Sequence, residues 1–580
     1  MYDELGVADG YHDVAGSWRA TPTATIAHVR RLLSDAPPAG PMWFVGEGQR
    51  HDLLGPCRLL LEDGSDLGEV TALDARLPCG YHDLVPVDGG PTTRLVIAPA
   101  RCPTPERSWG VAAQVYSLWR SPDWGIGDLR DVARLGRCVA SRGGRAVLLS
   151  PLHAHAPTLP QEPSPYYPSS RRWLDPLLIP LDGVPPSDLA IDARIDRDRV
   201  WTAKRHELAA LFDQQRTDGA WRAWAHAQGR PLWRFAAWGA LAELHGPRWR
   251  RWPAELQHPD SPTVADLFHT DERLAREHDF HAWMQWLAAR ELRTTVDTAG
   301  VDLIADLAVG CSPDGADAWI HQDLMTFEAS IGAPPDPFNE GGQDWGLPPF
   351  VPASLRAARY EPFIDMVRAA CAGMGGIRID HVMGLFRQFW VPAGGAPSDG
   401  VYVRMPADEL LAIVRLEAAR AGTFVVGEDL GTVEPEVHEA MRSGGMLGTK
   451  VWWFDPDTAN WPSASLATVT THDLPTLAGV RSGVDGSPEM HDHLQALEGH
   501  SGLGALAAVH AEIAASPALV TIASLDDIAA ATERPNRPGT TDASNWTHRT
   551  RIDLDDLFDS PDAGAVVAAF DGARPRRSRR

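Results

Sequence analysis

Eight short apolar runs, each closing on polar residues, are the feature that most limits how this chain can fold. Most of them are followed by a stretch of helical periodicity, which is typical of parallel βαβ units. Eight is the number of units in a (β/α)8 TIM barrel. We therefore predict an α/β barrel with strands in 113–118, 145–150, 302–309, 376–381, 424–430, 450–454, 468–474 and 519–525.

A doubly wound parallel sheet is the rival fold for such a pattern. It would be favoured by a G-x-G-x-x-G sequence after one of the strands, and no run here is followed by one. One connection is short for a barrel. Only about a dozen residues separate the sixth and seventh runs, which leaves room for a short helix at most.

Segments outside the barrel pattern differ in character. The N-terminal part combines a helical stretch, Thr23 to Ser34, with β-like runs that are separated by turn residues. About 150 residues separate the second and third runs, too many for a plain crossover. We expect an N-terminal helix with a β-rich module over 1–107, the barrel start over 108–156, a mainly helical insertion over 157–300, the rest of the barrel over 301–570, and a basic disordered tail over 571–580.

Tryptophans are frequent in the predicted insertion, and the chain holds 22 of them. Trp221 and Trp224 stand three residues apart, and Trp283, Trp286 and Leu287 follow the same helical spacing. Tryptophan suits a sugar ligand, but this spacing is what the packing of helices requires. We expect these stripes to lie in a hydrophobic core.

The charge balance excludes some classes of partner. The chain has 53 Lys+Arg against 77 Asp+Glu, a net charge of −24, which is repelled by nucleic acid and by anionic membranes. It has no run of about 18 apolar residues that would predict a transmembrane helix. Its 6 cysteines form no C-x-x-C pair, which indicates reduced thiols in a cytoplasmic protein. Only Lys204 and Lys450 are lysines.

Three acids are expected at strand ends: Asp380, Glu428 and Asp473. In a parallel barrel all C-terminal strand ends open on one face, where such enzymes have their active sites. One acid in this position is often a helix cap or half of a salt bridge. Three carboxylates on one rim repel one another, so their convergence indicates a function.

Cleavage of a glycosidic bond is a function that uses such carboxylates, and a retaining mechanism needs two of them about 5 Å apart. Arg378 precedes Asp380 by two residues and is expected to keep it ionised, as a nucleophile requires. Glu428 has no adjacent cation, and a raised pKa there would suit a general acid. Asp473 and His472 are expected to bind sugar hydroxyls.

Longer motifs add a specific resemblance. From about Trp109 to Asp553 the chain resembles the 4-alpha-glucanotransferases, also called amylomaltase or disproportionating enzyme, of glycoside hydrolase family 77. The motifs that carry the resemblance are QVYSLWRSPDWGIGD (114–128), SPYYPSSRRWLDPL (164–177), DLAVG (306–310), GAPPDPFNEGGQDWGLPPF (332–350), RIDHVMGLFR (378–387), VVGEDLGTV (425–433), TTHDLPTLAG (470–479), NRPGT (536–540) and NW (545–546).

The resemblance implies an enzyme that moves segments of α-1,4-glucan to a sugar acceptor with retention. The sequence itself has no H-E-x-x-H, EF-hand loop or P-loop, so we expect no cofactor or catalytic metal. The family's nucleophile matches Asp380, its acid/base Glu428 and its third carboxylate Asp473. Tyr166 would stack on the sugar at the cleavage point. The remaining implied substrate contacts are Asp336, Gln343 and Trp345 on a loop over the acceptor, and Asp306, His381, His472 and Asn536 in the subsites.

The segment 332–350, with four Gly and five Pro, is predicted to be a long loop and an active-site lid. A lid that excludes water and holds an acceptor favours transfer over hydrolysis, because both reactions share one glycosyl-enzyme.

Other functions fit parts of the pattern. An α-amylase-type hydrolase would use three such carboxylates on the same fold. A catalytically inactive glucan-binding scaffold is opposed by the intact carboxylates. Nucleic-acid binding through the arginine-rich tail conflicts with the net charge. The expected partners are therefore maltodextrins or other α-1,4-glucans.

Overall fold

The computed structural model describes residues 1–13, 16–120, 123–186, 189, 194–335, 339–431, 433–540, 542–550 and 552–573. One eight-stranded sheet contains, in chain order, β1 Ser108–Ala113, β2 Ala146–Leu149, β3 Asp302–Leu307, β4 Gly376–Ile379, β5 Phe424–Gly427, β6 Gly448–Val451, β7 Ser465–Thr468 and β8 Val520–Ser524. The strand order in the sheet is β5-β4-β3-β2-β1-β8-β7-β6. Each strand therefore neighbours the next one along the chain, as in a barrel.

The sheet is parallel and its two ends meet. Parallel ladders join β3 to β2, β2 to β1, β1 to β8, β8 to β7 and β7 to β6. A parallel bridge links Val426 of β5 to Leu447, the residue before β6. The Gly427 N–H also donates to the Leu447 carbonyl over 2.8 Å. The predicted (β/α)8 barrel is confirmed.

Several strands end earlier than their apolar runs predict. β7 ends at Thr468, so Asp473 lies five residues beyond the strand and not at its end. The Thr468 hydroxyl donates to the Thr470 carbonyl, and the Thr470 hydroxyl donates to the Pro475 carbonyl over 3.0 Å. Such side-chain bonds to nearby carbonyls replace the ladder and turn the chain. Between β6 and β7 the only helix among the described residues is the 3-10 turn Thr458–Asn460, in keeping with the short spacing.

The chain divides into two compact units. The first contains 1–104, 321–372 and 379–447. It holds an antiparallel hairpin, Gly10–His12 with Trp18–Ala20, and a five-stranded sheet in the order Met42–Gly46, Thr93–Ala98, Gly80–Pro86, His51–Leu60, Asp66–Leu73. A four-stranded antiparallel sheet follows in the order Gln343–Leu347, Ala329–Ala333, Arg387–Pro392, Val401–Arg404. Its α-helices are Thr23–Ser34, Pro352–Ala357, Glu361–Cys371, Ala407–Ala421 and Pro435–Ser443.

The second unit contains 105–320, 373–378 and 448–580. After β2 it has a small antiparallel pair, His153–Ala154 with Ser170–Leu174. Its α-helices are Leu129–Ser141, Arg197–Gln215, Gly219–His245, Pro262–Thr270, Glu272–Ala299, Ala316–Ile320, Leu477–Ser482, Pro488–Ser501, Ala505–Ala515, Leu525–Ile528, Leu554–Phe558 and Pro561–Ala573. The basic residues 574–580 lie outside the described part of the chain.

The segment between β2 and β3 is rich in helix and packs around aromatic side chains. Trp221 and Trp283 are buried, and the rings of both contact Phe212. Phe280 adds a stacked contact to Trp283. For these residues the prediction of a core role is confirmed.

Lysine, the rarest charged residue of this chain, is buried at one of its two positions. Lys204 lies in Arg197–Gln215, is inaccessible to solvent and donates to the Leu177 carbonyl over 2.6 Å. Burial lowers the pKa of Lys204 to about 8, although nearby carboxylates oppose the shift. Lys450 on β6 remains partly exposed.

The cysteine side chains are all free thiols. Of the helices in the described ranges, none combines the length and the apolar composition that a membrane span requires.

Candidate active site

Asp380 belongs to the first unit, directly follows β4 in the chain and is half-buried. The next residue, His381, has a φ of 46° and a ψ of 62°, in the left-handed region that a residue with a Cβ seldom occupies. This conformation turns the chain out of the strand and into the 3-10 turn Val382–Leu385. Backbone strain of this kind is concentrated at functional sites.

Glu428 directly follows β5, also in the first unit, and is buried. Its Oε2 accepts the His381 backbone N–H over 3.0 Å, and its Oε1 accepts the Leu430 N–H over 2.7 Å. Its own N–H donates to the Ile379 carbonyl over 3.0 Å. The carboxylate is thus fixed in position by the residue that follows Asp380. The raised pKa expected for Glu428 from the sequence stays a prediction.

His381 also contacts the segment that the sequence presents as a lid. The Trp345 and His381 rings meet edge to face with centroids 5.2 Å apart, and Trp345 Nε1 donates to Gln343 Oε1 over 3.1 Å. Desolvation, followed by the Arg387 charge, lowers the pKa of His381 to about 4, which keeps the imidazole neutral at physiological pH. Trp345 is half-buried, so part of its indole face is open to solvent.

The predicted loop over 332–350 is partly a strand. Gln343–Leu347 forms the edge of the four-stranded sheet and pairs with Ala329–Ala333. The glycine content suggested a loop, but a Cβ at Gly332 would lie 2.0 Å from the Gln343 carbonyl oxygen, so this glycine permits strand pairing. Asp336 falls outside the described residues.

In the second unit, Asp306 near the end of β3 accepts hydrogen bonds from two predicted residues. Arg378 Nη1 on β4 lies 2.7 Å from Oδ1 and 2.8 Å from Oδ2 of Asp306. The Tyr166 hydroxyl donates to Asp306 Oδ2 over 2.6 Å. Asp306 and Arg378 are both buried and form an ion pair. The effect of Arg378 on Asp380 stays a prediction.

Tyr166 continues this network towards Asp473. Its hydroxyl lies 3.1 Å from Nδ1 of His472. Because the single hydroxyl proton is donated to Asp306, Nδ1 of His472 must be the donor to the tyrosine oxygen. His472 Nε2 then faces Asp473 Oδ1 at 3.5 Å, and Asn536 Nδ2 donates to the same oxygen over 2.7 Å. Six predicted residues therefore form one connected network in this unit: Tyr166, Asp306, Arg378, His472, Asp473 and Asn536.

Two residues of this network were not selected from the sequence. The Trp546 ring centroid lies 5.4 Å from that of Tyr166 and 5.3 Å from that of His472. Its motif, NW, is part of the family resemblance, but no role for Trp546 was predicted from the sequence. Arg534 donates to the Asp473 carbonyl over 2.8 Å and pairs with Asp485. The position of Arg534, two residues before Asn536, was the only sequence signal that could have indicated a place in the site.

Beside the network lies a cavity of about 60 Å³ that Tyr166, Asp306, Arg378 and His472 help to line. No cluster of three or more His, Cys, Asp or Glu side chains in the described ranges has a metal-binding arrangement.

Asp380, Glu428 and Asp473 each follow a strand of the parallel barrel, on the side where barrel enzymes have their active sites. The model of glycoside hydrolase family 77, 4-alpha-glucanotransferase, matches residues 113–554, and the chain belongs to this family. That match contains Asp380, Glu428 and Asp473.

Individual relatives agree with the family match. The 4-alpha-glucanotransferase of Mycobacterium tuberculosis is 41% identical over 473 residues, which are 73% of this chain and 65% of that protein. The enzyme of the same name from Haemophilus influenzae is 34% identical over 457 residues, 69% of this chain and 65% of that one. The chain thus spans 65% of the length of these relatives. The crystal structure of amylomaltase from Corynebacterium glutamicum has a TM-score of 0.83 at 27% identity, with 98% of each chain covered.

The buried Asp306–Arg378 pair gives a test of the network. Replacement of Asp306 by asparagine keeps the side-chain shape but removes the buried Asp306–Arg378 ion pair, so we expect a loss of about 3–5 kcal/mol in unfolding free energy. Urea unfolding at pH 7 measures the loss. Asp74→Asn is the control, since the Asp74–Arg76 pair is exposed and its loss should leave the unfolding free energy nearly unchanged. Equal losses in both variants would contradict the structural role of the buried pair.

Proposed function

We propose that the protein is a 4-alpha-glucanotransferase that moves segments of α-1,4-glucan, or maltodextrin, to a sugar acceptor by a retaining double displacement. The observation that carries the proposal is the family match over 113–554, with the three matched carboxylates intact. The parallel barrel supports it, because residues that follow β4, β5 and β7 belong to the C-terminal edge of one sheet.

The nucleophile in this mechanism is Asp380. Its carboxylate attacks the anomeric carbon of the donor glucan and forms a glycosyl ester, while Glu428 protonates the departing glycosidic oxygen. The hydrogen bonds that fix both oxygens of Glu428 support this role, because they hold the carboxyl group in a defined orientation. The left-handed His381 couples this position to the turn after Asp380.

In the second step Glu428 takes the proton of an acceptor hydroxyl, and the acceptor oxygen displaces Asp380 from the anomeric carbon. Asp473, held by Asn536 and Arg534, would bind sugar hydroxyls and stabilise positive charge on the ring. Tyr166 has a flat face for stacking on the sugar, and its hydroxyl is fixed by Asp306.

Gln343 and Trp345 are proposed to contact the acceptor from the edge strand. Asp336 is assigned to the same loop by resemblance. His381, His472, Asp306 and Asn536 are proposed to line the subsites. We place the activity in the cytoplasm, which the free cysteine thiols support.

Incubation with maltotriose tests the function. A transferase produces a ladder of shorter and longer oligomers together with glucose, whereas an α-amylase-type hydrolase releases reducing ends without longer products. Replacement of Asp380 by asparagine should abolish turnover, with a loss of roughly 10⁴-fold or more, because no glycosyl ester can form. Binding of maltodextrin, measured by calorimetry, should survive in this variant. Substantial residual transfer by it would refute the assignment.

Leaving-group chemistry tests Glu428. The Glu428→Gln variant should fail to transfer from natural glucans, with a loss of about 10²–10⁴-fold, because the departing oxygen is no longer protonated. An activated glycosyl fluoride needs little protonation and should still react at the first step. The comparison is the ratio of the two rates in wild type and variant. An equal loss on both donors would show that Glu428 is not the acid.

The half-buried indole of Trp345 gives a test of acceptor binding. In Trp345→Ala we expect the ratio of hydrolysis to transfer to rise about fivefold, since about 1 kcal/mol of contact with the acceptor is lost while the carboxylates remain. Products from maltotriose are measured together with melting temperature. Trp18→Ala, at an exposed tryptophan, is the control and should change neither.

A core role for Trp345 predicts a different result. Truncation would then cost about 3–5 kcal/mol of stability and leave the product ratio unchanged. That outcome would defeat the assignment to the acceptor side.

A further inference from the structure

His155 is a buried histidine whose two ring nitrogens both face oxygen acceptors. It follows the short strand His153–Ala154, and 8% of its side chain is exposed. Nδ1 lies 2.8 Å from Asp175 Oδ2, and Nε2 lies 2.9 Å from the Ser164 carbonyl oxygen. A neutral imidazole carries one N–H, so one of these contacts would then bring two lone pairs together. The geometry requires a proton in each contact.

The surroundings of His155 favour the charged imidazolium. Burial opposes the charge, but the hydrogen bond and the charge of Asp175, the Ser164 carbonyl and Glu162 outweigh it and raise the pKa of His155 above 6.5. Asp175 remains in place because its Oδ1 accepts the Leu177 N–H over 2.9 Å.

Other titratable and charged groups near His155 have different roles. His153 stays neutral, since burial lowers its pKa to about 3 and its Nε2 accepts the Ala308 N–H. The charge of Arg171 acts on His153, and the charges of Arg197 and Lys204 interact with Asp175. Among the groups that favour the charged form of His155, Asp175 has the largest effect, through the 2.8 Å contact.

The Ser164 carbonyl belongs to the turn that presents Tyr166. It also accepts the Tyr167 N–H over 3.2 Å, and the Ser164 hydroxyl oxygen accepts the Tyr166 N–H over 3.3 Å. The Ser164 N–H donates to Glu162 Oε1 over 2.9 Å. From this turn the Tyr166 hydroxyl reaches Asp306. A hydrogen bond donated by His155 to the Ser164 carbonyl therefore restrains the turn from which Tyr166 projects.

We propose that His155 is a positioning residue that acts as a doubly donating imidazolium between Asp175 and Ser164 and holds the turn carrying Tyr166. It touches no reacting atom. Loss of one proton would break one of the two bonds and loosen the turn. The expected effect on catalysis rests on the proposed function. The protonation state of His155 can be tested independently of that function.

The pH dependence of stability has a definite sign. A histidine whose pKa is raised in the folded state stabilises the fold below the unfolded value of 6.5, and the contribution is lost as the pH rises through the folded value. In His155→Gln the amide can make only one of the two donations. The melting temperature of the variant should therefore lie furthest below that of wild type under pH 6.5, and the difference should shrink at higher pH.

His510→Gln is the matched control, because this buried histidine has the opposite character. Burial lowers the pKa of His510 to about 4, so its contribution grows as the pH rises from about 4 to 6.5. His510 is also far in sequence from the Tyr166 turn. A comparison of the two variants therefore separates a general loss of stability from an effect on the position of Tyr166.

The closing experiment combines two measurements. Nitrogen-15 spectra of histidine-labelled wild type and His155→Gln identify the His155 resonances, which should be those of an imidazolium at pH 6.5. The kcat/KM for maltotriose should fall about tenfold or more in His155→Gln at pH 6. Glu428 contributes a basic decline to both enzymes, so the test is the ratio of the wild-type rate to the variant rate, which should shrink as the pH rises and His155 loses its second proton. In His510→Gln the shape of the pH profile should be unchanged.

A neutral tautomer at pH 6.5, or equal pH profiles in wild type and His155→Gln, overturns the proposal. If wild type fails to disproportionate maltotriose, the proposed function fails, whereas the spectra and the melting temperatures still decide the state of His155.

Discussion

The hydrogen bonds that the Asp306 carboxylate accepts hold together the site residues of the second unit. One group on β3 accepts from Arg378 on β4 and from Tyr166 after β2, and through Tyr166 it sets the donor state of His472 after β7. Breaking a buried ion pair by removing one partner is costly. The same carboxylate therefore compensates a cation in the barrel and orients an aromatic ring. One strand residue, Arg378, and two loop residues, Tyr166 and His472, are thus connected through Asp306.

Much of the fold was predictable because the constraint that creates the barrel is local and repeated. Each strand is a short apolar run, and eight such runs with crossovers leave few alternatives. Strand ends were less predictable, as β7 shows. The hydroxyls of Thr468 and Thr470 end the ladder by bonding to nearby carbonyls, and an apolar pattern carries no trace of that competition. The edge strand Gln343–Leu347 was missed for a related reason, since glycine can serve a loop or a close approach of strands.

The site was predictable in its members and less so in its connections. Position and resemblance selected Tyr166, Asp306 and His472, but no spacing in the sequence indicates that one hydroxyl joins the other two. The effect of Arg378 on Asp380 stays a prediction, whereas its bonds to Asp306 were not foreseen from the sequence. Nothing in the sequence around His155 distinguishes it from a buried core histidine. Only the distances to two acceptors distinguish it.

The burial of Lys204 has a practical consequence for handling the protein. With arginine supplying nearly all positive charge, the chain has two side-chain amines, and Lys204 is closed to solvent with its nitrogen bonded to a carbonyl. Reagents that acylate amines therefore meet one accessible lysine, Lys450 on β6. A fluorophore coupled through lysine would therefore attach to the folded protein at a single defined side chain, and the exposed α-amino group of Met1 is the other amine that the same reagents reach.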